Sequence, residues 1–435
     1  MRVDEKFDCI VVGAGPAGIA AAFTLAKAGL QVVVLERGER PGSKNVMGGV
    51  LYSTILNKLV PEFWKEAPVE RHVVRKKFSL LGSQTETAFL FSSEAYNVPP
   101  YNNSFTVLRG KFDEWFAKKA EEAGAMVFPG VVVDDLISEN GKIAGVRCRG
   151  EGGELRADCV ICAEGANSLL VRKLGLRPKF ESDKMVVGVK EVLGLPREVI
   201  EDRFALDGDE GCDYAYFGDA VQGSLGGGFI YTNKDSLSVG IACSIRSVEK
   251  QHIRPFELIE HFKNHPCVRN LLRGGELLEY SAHMIPEGGV KHVTKLHAPG
   301  FLVVGDAAGF VNPSFYHEGS NLAMASGVMA AETVIEAKKK GDFSDAVMQL
   351  YKEKLDSSFV MKDLKKFSRI PEFGHKNPEL FQKYPNIFGD LLTELFAVSE
   401  TPKSEVQKDV VGRFRKNIGL LRFGRKLWQL MRAAR

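Results

Sequence analysis

Apolar residues gather near the N-terminus in two short runs, Cys9 to Val12 and Gln31 to Leu35, separated by an alanine-rich stretch from about Pro16 to Ala28. Such runs predict buried parallel strands, and the stretch between them has the length and composition of a helix covered on all sides. Ile10 to Ala26 carries no charge, but Asp4, Glu5 and Asp8 precede it and Pro16 interrupts it, which argues against a signal peptide or a membrane span. Further on, Glu70 to Phe105 alternates in the manner of strands and contains Pro99-Pro100, which reads as sheet belonging partly to a second layer. Phe112, Trp115, Phe116, Lys119 and Ala120 recur at helical spacing up to Gly124. Val131 to Val133 and Ile143 to Cys148 flank Asn140-Gly141, which predicts a hairpin. Asp158 to Ala163 is another apolar strand, running into a glycine turn and a helix through Arg172, which Ser168 is placed to cap. Met185 to Ile245 is rich in strands and glycine and suggests a separate antiparallel sheet, and Phe301 to Val304 is a strand followed by a helix from Gly319 to about Lys338.

The first strand, turn, helix and second strand enclose Gly13-x-Gly15-x-x-Gly18, with Glu36 ending the second strand. With 44 glycines in 435 residues the spacing alone is weak; its place between strand and helix makes it a dinucleotide fingerprint. Gly13 serves the tight turn, Gly15 the approach of a pyrophosphate, Gly18 the helix–strand packing, and Glu36 a ribose diol. Pro41 to Gly49 reads as an irregular glycine-punctuated loop suited to lie against a flat ligand.

Length allows two or three domains, and 44% hydrophobic with 26% charged residues is ordinary for a globular chain. A net charge of +3 does not advertise nucleic-acid binding. Seven scattered cysteines suggest a reducing compartment rather than a disulfide framework. Cys159 and Cys162 form a C-x-x-C spacing, but strand alternation sends their side chains to opposite faces and no second pair completes a metal set, so we read them as core residues.

Two later stretches add to the first. Asp158 to Arg172, with Gly165 in its turn, resembles the conserved motif of flavin-dependent aromatic hydroxylases and their relatives. Phe301-Leu-Val-Val-Gly305-Asp306, continuing through Gly319 and Asn321, resembles the flavoprotein segment whose aspartate meets the ribityl chain and whose following helix aims its dipole at the flavin pyrimidine. His317 in that loop is a possible acid, though a lone loop histidine is more often structural. No second nucleotide fingerprint is present, so FAD fits better than NAD.

Gly42-Ser-Lys-Asn-Val-Met-Gly-Gly49, Gly227-Gly-Phe-Ile-Tyr231, His265-Pro266 with Gly274-Gly275, Pro286-Glu-Gly-Gly289, and Ser358 to Leu364 through Arg369 to Phe373 extend the resemblance over nearly the whole chain. It is similar to the electron-transfer-flavoprotein:quinone oxidoreductase family, most closely its shorter FixC-type branch, with geranylgeranyl reductases as cousins. The resemblance implies an α/β fold: a Rossmann-type FAD-binding domain of the p-hydroxybenzoate hydroxylase-like class, an inserted antiparallel-sheet quinone or substrate domain and a helical C-terminal region. The expected division is 1–85, 105–180 and 285–345 for FAD, 86–104 and 181–284 for the inserted sheet, and 346–435 for the helical region. FAD is expected on Gly13, Ala14, Gly15, Pro16, Ala17, Gly18, Glu36, Arg37, Gly48, Gly49, Arg109, Val132, Gly165, Gly305, Asp306, Gly319 and Asn321.

The implied reaction passes electrons from an electron-transfer flavoprotein through FAD to a membrane quinone, with no separate catalytic residue required, because the isoalloxazine carries the redox chemistry. Longer family members carry a [4Fe–4S] module; this chain has no cysteine after Cys267, so the resemblance implies a small ferredoxin-like partner subunit. A polyprenyl reductase, an aromatic hydroxylase and a flavin-bearing relay subunit inactive alone are the other readings. The expected place is the cytoplasmic side of the membrane, held peripherally. Asp409 to Arg435 carries eight Lys or Arg against one Asp, leaving the rest of the chain net negative. As a helix, Leu420 to Arg432 puts Leu420, Leu421, Phe423, Leu427, Trp428, Leu430 and Met431 on one half and Arg422, Arg425, Lys426 and Arg432 on the other, suited to a membrane surface or to packing on a partner.

Overall fold

A computed structural model describes residues 6–45, 48–150, 153–177, 182–314 and 316–433. Val46 and Met47, within the predicted ligand loop, lie outside them.

Two sheets organise these residues. In the first, strands Phe301–Val303, Glu154–Cys162, Lys6–Val12, Val32–Glu36 and Met126–Pro129 lie side by side in parallel. The register sets Cys9 beside both Val32 and Cys159, so the apolar run in each strand is buried by a neighbour on both sides. The helix Pro16–Lys27 packs against Arg109–Glu122 and Ser320–Lys340, and residues Pro16 to Phe23 are buried throughout. This is why its sequence shows almost no polar face. The predicted hairpin forms between Val133–Glu139 and Lys142–Cys148, with Asn140 and Gly141 both at positive φ in the turn. Cys159 and Cys162 are buried core residues, as alternation required.

The second sheet runs Glu276–Pro286, Met185–Gly194, Ser236–Ser244, Gly226–Thr232, Glu210–Gly218, Val69–Leu81, Ser104–Leu108, Gly48–Tyr52, with Glu86–Ser92 pairing off Val69–Leu81. Val69–Leu81 and Ser104–Leu108, within the stretch read as sheet of a second layer, pair in this sheet, and Gly48–Gly49 begin a strand rather than end a loop. The pairing is not wholly antiparallel either, because Val69–Leu81 and Glu210–Gly218 run parallel across it. These pairings depend on partner strands distant in sequence, which no local pattern announces.

One face of the second sheet buries Tyr216, Ile230, Val239 and Ile241 against Phe204, Leu258, Ile259 and Phe262 from the helices Arg197–Phe204 and Pro255–Asn264. A side chain at Gly228 would meet the Phe262 ring at 2.8 Å, so this glycine lets ring and strand touch. The other face looks toward the first sheet. The C-terminal helices close one end: Asn386 Oδ1 accepts from the Ser83 amide at 2.8 Å, and Phe388, Phe414 and Phe423 cluster with centroids about 6 Å apart.

Candidate cofactor-binding site

The space between the two sheets is a cavity of 1390 Å³. That exceeds the ~300–1,000 Å³ of an ordinary ligand pocket, enough for a dinucleotide and a second molecule beside it.

The glycine turn forms one wall. Gly13 has φ +105°, and a Cβ there would overlap the carbonyl oxygen of Ala163 on the adjacent strand. A Cβ at Gly18 would overlap Gly13's own carbonyl. At Gly15 a Cβ meets nothing within 4 Å, because that position opens onto the cavity at the start of the helix Pro16–Lys27. The three glycines therefore divide as the fingerprint predicts. Two serve packing, and one leaves room beside unpaired helix N–H groups, where an anion is favoured. Glu36 holds the turn: its carboxylate accepts from the Ala14 amide at 2.9 Å and from the Gly38 amide at 2.7 Å while also lining the cavity.

Arg109, buried at the start of its helix, donates from Nε and Nη2 to both oxygens of Asp113 at 2.6 and 2.7 Å, and Asn45 donates to the same carboxylate. Asp306 enters from the end of the strand Phe301–Val303; burial pushes its carboxyl up, with His283, Arg109 and Arg177 opposing. Burial lowers the His283 imidazole, Asp306 opposing, and lowers the Lys190 ammonium, Glu279 opposing. Beyond them Lys76 pairs with Asp213 at 3.1 Å and reaches the Tyr52 hydroxyl at 3.3 Å, with His317 on the same cavity wall as Asp213 and Tyr52. Burial depresses the His317 imidazole against the pull of Asp213.

Of the residues expected to hold FAD, Gly13, Gly15, Pro16, Ala17, Glu36, Arg37, Gly48, Gly49, Arg109, Val132, Gly165, Gly305, Asp306 and Gly319 line this cavity. Three do not. Ala14 contributes its amide to Glu36 and Gly18 its missing side chain to packing. Asn321 is buried, accepting from the Ile55 amide at 3.1 Å and donating to Glu318 at 2.7 Å, so it ties the loop and helix together. Ser168 stands at the N-cap position but makes no capping bond; Glu164 does, accepting from the Leu170 and Val171 amides at 3.1 Å each. Asn45 falls within the Pro41 to Gly49 loop read as lying against a ligand but is not singled out there, and Lys76, Asp213 and His283 sit on strands with no local motif. Only strand alternation, once the sheet partners are known, identifies Asp213 and His283 as cavity-facing.

Comparison with known proteins agrees with this arrangement. Residues 6–205 match the model of an FAD binding domain, residues 186–285 that of the ETF-QO ubiquinone-binding domain, and residues 370–435 that of the ETF-QO/FixC family C-terminal domain. The probable electron transfer flavoprotein-quinone oxidoreductase YdiS of Escherichia coli K12 is 45% identical over 419 residues, 96% of each chain. Protein FixC of Azotobacter vinelandii is 42% identical over 430 residues, covering 98% of this chain and 99% of its own. This chain belongs to the ETF-QO/FixC family.

Among solved structures, a geranylgeranyl bacteriochlorophyll reductase-like protein of Thermoplasma acidophilum aligns with TM-score 0.75 at 23% identity over 99% of both chains. The myxobacterial FAD-dependent halogenase CndH aligns with TM-score 0.63 at 20% identity, over 96% of this chain and 91% of its own. At those identities the likeness concerns fold. This member of the ETF-QO/FixC family is thus an FAD-dependent oxidoreductase of electron transfer. The cavity suits its cofactor: an open glycine at a helix N-terminus, a carboxylate ending the second strand, and an aspartate facing the space between the sheets. FAD supplies the electron-carrying ring, and the chain supplies position, charge and access.

The basic C-terminal helix, Leu420–Ala433, divides differently from its helical wheel. Phe423 packs with Phe388 and Phe414, and Lys426, assigned to the polar half, turns inward to Asn377 Oδ1 at 2.7 Å and to Glu379. Phe423, Lys426, Leu427 and Leu430 line the cavity. Leu421, Trp428 and Met431 remain exposed. The wheel misplaces Lys426 because a half-buried acid, Glu379, and a buried amide, Asn377, on the neighbouring segment accept from its ammonium. Among the described residues no helix is long and apolar enough to cross a membrane.

Proposed function

We propose that this chain receives electrons from an electron-transfer flavoprotein onto FAD and delivers them to a membrane quinone, as the flavin subunit of a complex whose small ferredoxin-like subunit carries an iron–sulfur cluster. The observation that carries this reading is the continuity of one cavity from the glycine turn, across the second sheet, to an apolar passage among the C-terminal helices bounded by Phe373, Leu380, Phe381, Phe388 and Leu430. A quinone has the matching shape, with a flat polar head for the sheet and an isoprenoid tail for the passage. Gly13, Gly15, Pro16, Ala17, Glu36, Arg37, Gly48, Gly49, Arg109, Val132, Gly165, Gly305, Asp306 and Gly319 are the groups that hold FAD in this reading, and 346–435 forms the tail-end helical region. Leu421, Trp428 and Met431, exposed beside Arg422, Arg425 and Arg432, supply a surface for an anionic bilayer near the passage.

The test is direct. Protein purified with its partners and reduced chemically under anaerobic conditions is mixed with a short-tailed benzoquinone, and flavin reoxidation is followed with quinol formation. Stoichiometric quinol is expected. A flavin that stays reduced would overturn the reading. The apolar passage would equally admit a polyprenyl chain, and a saturated lipid product without quinol would identify that reductase instead.

A further inference from the structure

One acid on the cavity wall, Glu287, has neither a side-chain hydrogen bond nor a charge that moves it among the described residues. Glu287 follows the strand Glu276–Pro286, where Pro286 is level with Met185, and its amide donates to Lys184 O at 2.9 Å. Along that strand and its continuation His283, Ile285 and Glu287 face the cavity at every second position. His283 lies by Asp306 and Arg109, and Glu287 lies four residues on, about 13 Å along the strand. At this end the sheet meets the helix Ile370–Lys376: Ser244 is level with Val186, its amide donates to Leu225 O, and Leu225 touches Gly374. Glu287 therefore stands where the dinucleotide side of the cavity passes into the apolar passage. Among the described residues no group bonds its side-chain carboxyl in the hydrogen bonds and ion pairs found, and burial alone raises that carboxyl to about 7. The titratable neighbours are Cys243 one strand further in, Lys184 before Met185, His292 in its own loop, His375 on the helix and Lys426 on the C-terminal helix. None of them moves it appreciably.

Reduction of a quinone needs protons as well as electrons. Two electrons from the reduced flavin and two protons turn the two carbonyl oxygens into hydroxyls, breaking both C=O π bonds and forming two O–H bonds. Electron transfer by itself moves only the electrons; with the proton held by the reduced flavin released to solvent, both quinone protons must come from a donor at the quinone. We propose that Glu287 is the proton donor for quinone reduction, giving its proton to a quinone oxygen and recovering one from water through the cavity mouth before the second transfer. This rests on the quinone reading above. A half-buried acid without a partner is disfavoured as the anion, so about half of the group still holds its proton at pH 7, where a free glutamic acid would be ionised.

The holoprotein is reduced and mixed with either a short-tailed benzoquinone or ferricenium, which takes one electron and no proton. Expected for Glu287→Gln is a fall of at least tenfold in the ratio of quinone to ferricenium rate, with Glu287→Asp recovering part of it. In the wild-type protein that ratio should decline as pH rises through about 7, because the donating form is lost. In the flavin-free protein, an infrared carboxylic C=O band that titrates in the same range should be absent from Glu287→Gln. A variant with the wild-type ratio and pH profile overturns the role of Glu287 while leaving the quinone reading intact. A wild-type protein that reduces ferricenium but no quinone overturns the reading itself. Should neither variant fold, a wild-type ratio that is flat through pH 7 overturns the proposal unaided.

Discussion

Gly327 rests its backbone directly on the carbonyl of Ala17, so that the long helix Ser320–Lys340 and the dinucleotide helix Pro16–Lys27 touch main chain to main chain. A Cβ at Gly327 would overlap Ala17 O and lie 3.0 Å from Ala17 C and 3.2 Å from Ala21 N, all backbone atoms that cannot swing aside. Gly305 adds to the same junction, its amide donating to Ser326 Oγ at 3.0 Å one residue before Gly327. The helix that closes the cavity is thereby located by the helix that begins it.

Gly327→Val should force the two helices apart and lower stability by about 1–3 kcal/mol, the usual penalty for overpacking a tight contact. Chemical denaturation of the flavin-free protein measures this without reference to activity. An unchanged midpoint would show that the helices separate freely.

Replacements within the fingerprint should sort into two kinds. Gly15→Val places its side chain in open space, so the folded protein is retained and FAD affinity falls by orders of magnitude. Gly18→Val meets Gly13 O and the side chains of Ala163 and Val11, so folding itself should fail. Circular dichroism with flavin fluorescence on both variants separates the effects; equal loss of structure in the two would contradict the division.

Glu164→Ala removes the only side chain that accepts from the first amides of the short helix Leu169–Lys173 among the described hydrogen bonds. Loss of about 0.5–2 kcal/mol is expected, whereas Ser168→Ala should cost less at the helix start because its hydroxyl turns to the Gly165, Ala166 and Ala307 carbonyls. Comparing the two unfolding curves decides which residue caps the helix.

His261 and Asp219 share a hydrogen bond of 2.8 Å on the far side of the second sheet. The bond raises the His261 pKa and lowers that of Asp219. A raised histidine stabilises the folded state fully below its unfolded value, near 6.5, and loses that contribution as pH climbs through the folded value. The depressed aspartate contributes above its unfolded value and loses that contribution in acid. Stability from this pair should therefore decline from mildly acidic toward alkaline pH and again in strong acid. Since both groups are partly exposed, the amplitude should be modest. His261→Gln should flatten the upper slope in denaturation curves taken across that range; an unaltered slope would remove His261 as its source.

At the C-terminus, Leu421→Glu with Trp428→Glu should abolish binding to anionic vesicles while FAD content and unfolding remain as before, since both residues are exposed. Phe423→Glu, by contrast, breaks the cluster with Phe388 and Phe414 and should destabilise the helical region. Vesicle sedimentation of the three proteins would discriminate; retention by the double variant would exclude this face as the membrane contact.

Local sequence carried the first strand–turn–helix–strand in full, because each of its steps depends on near neighbours in the chain: apolar runs for buried strands, glycines where backbone must approach backbone, a carboxylate ending the second strand. The same holds for the Asn140-Gly141 hairpin and for the strand that delivers Asp306. What only tertiary structure decided was membership and facing. Val69–Leu81 joined the second sheet because Glu210–Gly218 lay ready to pair with it in parallel, and Glu164 displaced Ser168 as a cap because the turn aims the acid, not the hydroxyl, at the free amides. Lys426 turned inward because Asn377 and Glu379 await it. In each case the determining partner lies beyond the reach of periodicity or is chosen by a turn's particular path. Pattern along a chain specifies which surfaces must be buried, but which partner buries them is settled by the packing of the whole.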